Sequence, residues 1–136
     1  MTTTNEKEYS LKVIGGLDFY DVSAVFRKSL ENKIAYNACC WAFILLQSGY
    51  WKHIWKHLAI YASQQADYRI IEVSALRNSF DLNTTAKNRK TEEGFCYICR
   101  AIIGLCEATE SVAEMTNKVI QDYCTGRLLK LPPSAY

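Results

Sequence analysis

The sequence predicts an all-α fold, a single domain of about six helices with a helical hairpin centred on Gly49. Three observations predict it. Apolar residues recur at three-and-four spacing through most of the chain, the period of a helix with one buried face. No segment shows the apolar–polar alternation of a half-buried strand. Two long apolar-striped runs, Ala35 to Leu46 and Tyr50 to Ile60, meet at Ser48-Gly49. A glycine just past a periodic run stops a helix, because only glycine takes the left-handed conformation without steric cost.

Taken in order, a polar arm is expected over residues 1–17, ending near Gly15-Gly16, with the helical domain over 18–136. The first helix begins at Asp18 or Asp21, both good caps, and runs to about Glu31 with Val22, Val25, Phe26 and Leu30 as its buried stripe. The hairpin supplies helices two and three. Helix two is apolar nearly all round, which places it at the centre of the domain. A fourth, less regular helix runs from Tyr68 towards Leu82, with Ile70, Ile71, Ser74, Ala75 and Phe80 as its apolar pattern and Asn78-Ser79 as an early stop. Residues 83–90 are polar and locally basic, a loop. Thr91 caps a fifth helix whose first turn holds Glu92 and Glu93, and whose stripe is Phe95, Ile98, Cys99, Ile102, Ile103 and Cys106. Ser111 and Glu114 form a capping box that opens a sixth helix to about Tyr123, closed by Thr125-Gly126. Beyond it, Pro132-Pro133 favours an extended tail.

Composition narrows the function classes. The chain has 136 residues, 49% hydrophobic and 22% charged, with only 2 prolines, which excludes a low-complexity chain. A net charge of +2 permits contact with nucleic acid without demanding it, since dedicated binders have a pI above about 9. No uncharged apolar run reaches the roughly 18 residues of a membrane span, and Met1 to Glu8 lacks the basic and apolar regions of a signal peptide. A cytoplasmic protein is expected. Its six cysteines therefore read as small hydrophobes rather than a disulfide framework, with Cys39, Cys96, Cys99 and Cys106 inside apolar segments.

Side-chain chemistry is sparse. His53 and His57, four apart, share one side of helix three, but Ile54 stands where a zinc protease needs glutamate. Cys96 and Cys99 form a CxxC on an apolar helical stripe rather than in a knuckle turn, so no metal site is expected. There is no phosphate-binding GxxxxGK[ST] loop, nor a nucleophile or paired-carboxylate arrangement above background, so neither a catalytic residue nor a cofactor is expected. Trp51, Lys52, His53, Trp55, Lys56 and His57 interleave aromatic and basic groups as in surfaces that stack on bases and grip phosphates. The plainer reading buries Trp51, Ile54, Trp55 and Leu58 and turns Lys52 and Lys56 outward. Lys87, Arg89 and Lys90 form a second basic cluster, on the loop, outside the apolar stripes. These five cations, Lys52, Lys56, Lys87, Arg89 and Lys90, are the candidate nucleic-acid contacts.

The order of segments carries a resemblance. Asp21 to Leu30, then Ala35-Tyr36, Leu45-Leu46-Gln47-Ser48-Gly49, and Ile54, Leu58 and Ala62-Ser63 are followed by Phe95 to Ser111 and by Val119 to Arg127 with Leu131-Pro132 beyond. From about Asp18 to Pro133 this resembles the helical C-terminal half of the replication-associated recombination protein A family, also called maintenance of genome stability protein A, which includes the Werner-helicase-interacting ATPases. The resemblance implies a domain from the clamp-loader branch of AAA+ proteins, tied to oligomer assembly at replication forks. The sequence departs from the family at Gln64-Gln65, where the family has Glu-Asp, and at Glu110, where it has Lys; the ATPase half is missing.

Three functions follow as expectations. The first is a non-enzymatic oligomerisation or adaptor module of DNA replication or repair, with an AAA+ ATPase or other replication protein as partner. The second is a small helical nucleic-acid-binding protein, nucleoid-associated, and the third an interaction domain unconnected with DNA. Self-association is expected because helix two is apolar all round and the chain carries 3 Trp, 9 Tyr and 5 Phe.

Overall fold

A computed structural model describes residues 16–127, and these form six α-helices with no β-strand among them. The helices are α1 (Phe19–Glu31), α2 (Ala35–Gln47), α3 (Trp51–Ser63), α4 (Asp67–Asn83), α5 (Glu92–Leu105) and α6 (Val112–Cys124). Of the expected arm only Gly16 and Leu17 fall among the described residues, and Leu17 packs against the core. The rest of that arm, and the tail expected around Pro132-Pro133, lie outside them. No described helix is long and apolar enough to cross a membrane.

Local signals set the helix ends. Asp18 accepts a hydrogen bond from the Asp21 amide at 3.1 Å, Thr91 one from Glu93 at 3.3 Å, and Ser111 one from Glu114 at 3.3 Å, each satisfying a first-turn amide. At the hairpin, Gly49 adopts φ 92° while its amide bonds to the Leu46 carbonyl and that of Tyr50 to the Leu45 carbonyl. This is a Schellman stop, and it turns the chain from α2 into α3.

α2 is the axis of the molecule. Every residue from Ala38 to Leu46 is buried, because α1, α3, α5 and α6 all pack around it. Phe43 lies edge-on to Phe95 of α5 at 4.7 Å and to Tyr123 of α6 at 5.0 Å, contacts that add about 0.5–1.5 kcal/mol each to their area burial. The expected stripes of α1 and α5 are buried throughout. Cys39, Cys40, Cys99 and Cys106 join the core, Cys96 is half-buried and Cys124 exposed, and all six thiols are free. Burial holds the Cys40 thiol up at about 12 and that of Cys106 at about 11, so both stay protonated at neutral pH. Between α2 and α6, Tyr36 donates its hydroxyl to the buried Asp122 carboxylate, which also meets Arg127 at 3.3 Å.

α4 departs from expectation in two ways. It does not end at Asn78-Ser79 but continues to Asn83, where the Thr84 hydroxyl bonds to the Phe80 carbonyl at 2.6 Å. Its fully buried side chains are Val73 and Phe80, while Ile71, Ser74 and Ala75 face solvent. The expected stripe mixed two different faces of this helix.

Candidate functional site

The two basic clusters converge on one ring. Trp51, the first residue of α3, is half-buried with its indole against Phe80 of α4 at 5.8 Å. The Arg89 guanidinium lies 4.4 Å from the ring centroid, and the Lys52 ammonium lies 5.3 Å from it. Both are cation–π contacts. Gly94 explains how the loop comes so close. A Cβ there would lie 2.1 Å from the Arg89 carbonyl oxygen, so only glycine lets the loop backbone rest on α5. Gln47 at the end of α2 donates to the Lys90 carbonyl at 2.6 Å, and Asn88 accepts from the Thr85 amide at 2.7 Å. The loop is thereby pinned at both sides of Arg89.

This geometry separates the five cations. Lys52, Lys56, Lys87 and Lys90 are exposed, and Lys56 follows Lys52 by one turn of α3. Arg89 is half-buried, and its Nε is buried without a hydrogen-bond partner. It therefore serves as a clip between the loop and α3, a correction to the reading that placed it wholly outside the apolar packing. Trp55 is fully buried and Trp51 carries two cations, so neither ring offers a face to a base. What this surface presents is four ammonium groups suited to phosphate.

The histidines face α1. His53 Nε2 lies 2.7 Å from the Ser23 hydroxyl, and its ring packs against Phe19 at 4.8 Å and His57 at 4.3 Å. Burial, with the His57, Lys56 and Arg27 charges, lowers His53 to about 4, and burial first also lowers His57. Both rings are neutral at pH 7. A serine on a histidine nitrogen is one half of a nucleophilic pair. Here Ser23 is only 4% exposed, and its bond ties α1 to α3 instead of facing a substrate. Cys99 lies with Cys39 of α2 in the core, away from the histidine pair's contacts with α1. Among the described residues no three His, Cys, Asp or Glu side chains are grouped to hold a metal ion.

The feature that sequence reading missed is the outer face of α4. Tyr68 is 56% exposed, Ile71 69% and Leu82 85%, and Ala75 lies between them on the same exposed side. Large exposed apolar side chains in a row mark interaction surfaces. Beside this row, between α4 and α5, runs a cavity of about 460 Å³ walled by Val73, Leu76, Ala101, Ile103, Leu105 and Val112. Glu72 and Arg100 supply its charged groups. By contrast, the all-round apolarity of α2 is consumed inside the domain by its four neighbours, so it is not a source of self-association. Among the described residues the large exposed apolar side chains are Tyr68, Ile71 and Leu82 on α4, with Tyr20, Ile34 and Ile60 elsewhere. The signal for the α4 row was present as a spacing, Tyr68, Ile71, Ala75 and Leu82, running beside the inward pair Val73 and Phe80.

No protein family matches this chain, and comparison with curated proteins and with solved structures gives no significant match.

Proposed function

We propose that this domain is a non-enzymatic oligomerisation or adaptor module that works through the outer face of α4. One observation carries the reading: Tyr68, Ile71 and Leu82 stand exposed in a row on a helix whose opposite side buries Val73 and Phe80. A lone exposed leucine is ordinary, but an aligned row beside an apolar cavity is what a partner covers. The link to DNA replication or repair, with an AAA+ ATPase or replication protein as partner in the cytoplasm, rests on the sequence resemblance alone. Light scattering from micromolar to millimolar concentration tests the module reading. A mass above 15.6 kDa that grows with concentration supports it, and an unvarying 15.6 kDa species opposes it.

A second reading is favoured by the four exposed lysines, Lys52 and Lys56 on α3 and Lys87 and Lys90 on the loop, two elements that meet where Arg89 and Lys52 contact Trp51. They would hold the phosphates of nucleic acid without reading sequence, because base-independent contacts carry no sequence information. A titration against DNA at rising salt tests this, with affinity falling steeply if phosphate contacts dominate.

A further inference from the structure

We infer that the cavity between α4 and α5 binds a single-tailed aliphatic carboxylate of about ten carbons, its tail inside and its head group on Arg100. The inference goes beyond the module reading and stands without it.

The walls decide what enters. At about 460 Å³ the cavity falls within the range of small-molecule sites and has room for about fifteen water-sized groups. Its floor is apolar and shielded, with Val73, Ala101 and Leu105 at 3%, 3% and 1% exposure. Glu72, Ala75 and Arg100, all exposed, mark its mouth. Water against that floor finds no side-chain partner, so an apolar tail displaces it favourably. A single side chain of a protein partner would occupy only a fraction of this volume, whereas a chain of about ten carbons fills it.

Small residues keep the space open. Ala75 of α4 and Ala101 and Gly104 of α5 all line it. Glycine inside a helix is destabilising relative to alanine, because it loses more conformational freedom on folding. A Cβ at Gly104 would meet only Arg69 Nη1, at an ordinary 3.7 Å, so packing does not require glycine there. The missing side chain widens the cavity instead, a local cost of the kind found at functional sites.

Charge selects the head group. Glu72 is already held by Arg69 at 3.1 Å, and Arg69 also reaches Glu107 at 3.8 Å. Arg100 pairs with no carboxylate among the described residues. An unpaired surface arginine is ordinary by itself. At the mouth of an apolar cavity it sets the sign of the ligand, and its planar fork fits a carboxylate through two parallel hydrogen bonds. A cationic amphiphile would have to compete with Arg69 for Glu72.

The full chain is titrated by calorimetry with decanoate, hexanoate and decyltrimethylammonium, each kept below its micelle concentration. Intermolecular nuclear Overhauser effects then locate the decanoate tail. Arg100→Gln and Ala75→Trp change exposed residues, and circular dichroism checks that both variants fold. The expected result is one decanoate per chain, with its tail against the methyl groups of Leu76, Leu105 or Val112. Each buried methylene raises affinity about fourfold, so hexanoate binds at least about thirtyfold weaker. The ammonium amphiphile binds at least about tenfold weaker than decanoate, and Arg100→Gln weakens decanoate about five- to tenfold. Ala75→Trp closes the mouth and abolishes binding. Absence of decanoate binding up to about 1 mM overturns the inference, as does a tail located against other residues. Equal binding of the ammonium amphiphile, or unchanged affinity in Arg100→Gln, overturns the assignment of the head group to Arg100. None of these results bears on the module reading, which light scattering without ligand decides.

Discussion

Lys33 and Glu107 are the two described non-glycine residues with positive φ, 57° and 55°, and they form an ion pair with each other at 2.7 Å. Each occupies the left-handed position just past a helix, Lys33 after α1 and Glu107 after α5. Each also makes the paired backbone bonds of a Schellman stop: Lys33 to Leu30 with Ile34 to Ser29, and Glu107 to Gly104 with Ala108 to Ile103. Two helix ends that glycine would suit better are thus brought together through their side chains. Arg69 of α4 adds a weaker contact to Glu107 at 3.8 Å.

Lys33→Gly separates the two effects. It relieves the left-handed backbone while removing an exposed pair whose worth is small and screened by salt. The melting temperature rises by about 2–4 °C, read by circular dichroism. Glu107→Gln keeps the backbone and loses the pair, so it lowers stability slightly at low salt and not at high salt. The Lys33 bond holds the Glu107 carboxyl below its usual 4.5, and the same bond raises Lys33 above 10.5. The pair therefore contributes fully between those values. It is lost as pH falls through the folded value of Glu107 or rises through that of Lys33. A parent and Glu107→Gln difference that is constant from pH 3 to pH 7 sinks this account.

Much of the fold is legible in local signals. The α1 and α5 stripes, the Gly49 hairpin and the Asp18, Thr91 and Ser111 caps each declare themselves within a few residues. α4 is not legible in that way. Its period is helical, but it carries two apolar arcs, and nothing within the helix says which arc meets its own core. That choice is made by Trp51, Trp55 and Tyr97, which close around Phe80 from α3 and α5. The role of Arg89 is hidden for the same reason, because it depends on Gly94 and Trp51 from other elements. Lys33 and Glu107 carry no signal at all, since neither residue type marks a left-handed position.

His53 makes the domain acid-sensitive above the carboxylate range. Its folded value of about 4 lies below the ordinary 6.5, so the unfolded chain binds the proton more tightly. The stability it contributes is present above about 6.5 and is lost as pH falls towards 4, with His57 acting in the same direction. Urea midpoints from pH 7.5 to pH 4.5 fall accordingly. His53→Gln keeps a polar group for Ser23, costs about 1 kcal/mol at pH 7 and flattens the pH dependence. An equally steep dependence in that variant assigns the effect elsewhere.

The basic cluster divides by stability. Lys87→Glu/Lys90→Glu leaves the melting temperature within about 2 °C of the parent, as both are exposed. Arg89→Glu costs about 1–2 kcal/mol, because it removes the cation from Trp51 and sets a half-buried acid there. If nucleic acid is held, the lysine variant weakens binding and reduces the magnitude of the salt slope by about 1 for each phosphate no longer neutralised. Unchanged binding in both this variant and Lys52→Glu/Lys56→Glu removes the phosphate reading.

Phe80 and Leu82 stand two residues apart on α4 and answer to different partners. Phe80 is 0% exposed and lies within 5.5 Å of Trp55, 5.8 Å of Trp51 and 6.4 Å of Tyr97, measured between ring centroids. Phe80→Ala empties the point where α3, α4 and α5 meet and costs about 3–5 kcal/mol. That is a large part of the roughly 5–15 kcal/mol that holds a domain of this size folded. Leu82, 85% exposed, meets nothing comparable within its own chain. Leu82→Ala therefore leaves the urea midpoint of the dilute protein within about 0.5 kcal/mol of the parent, while weakening assembly at high concentration. Loss of stability on Leu82→Ala at low micromolar concentration, where only monomer is present, would place Leu82 in the domain's own core. The exposed apolar row on α4 would then lose its most exposed member.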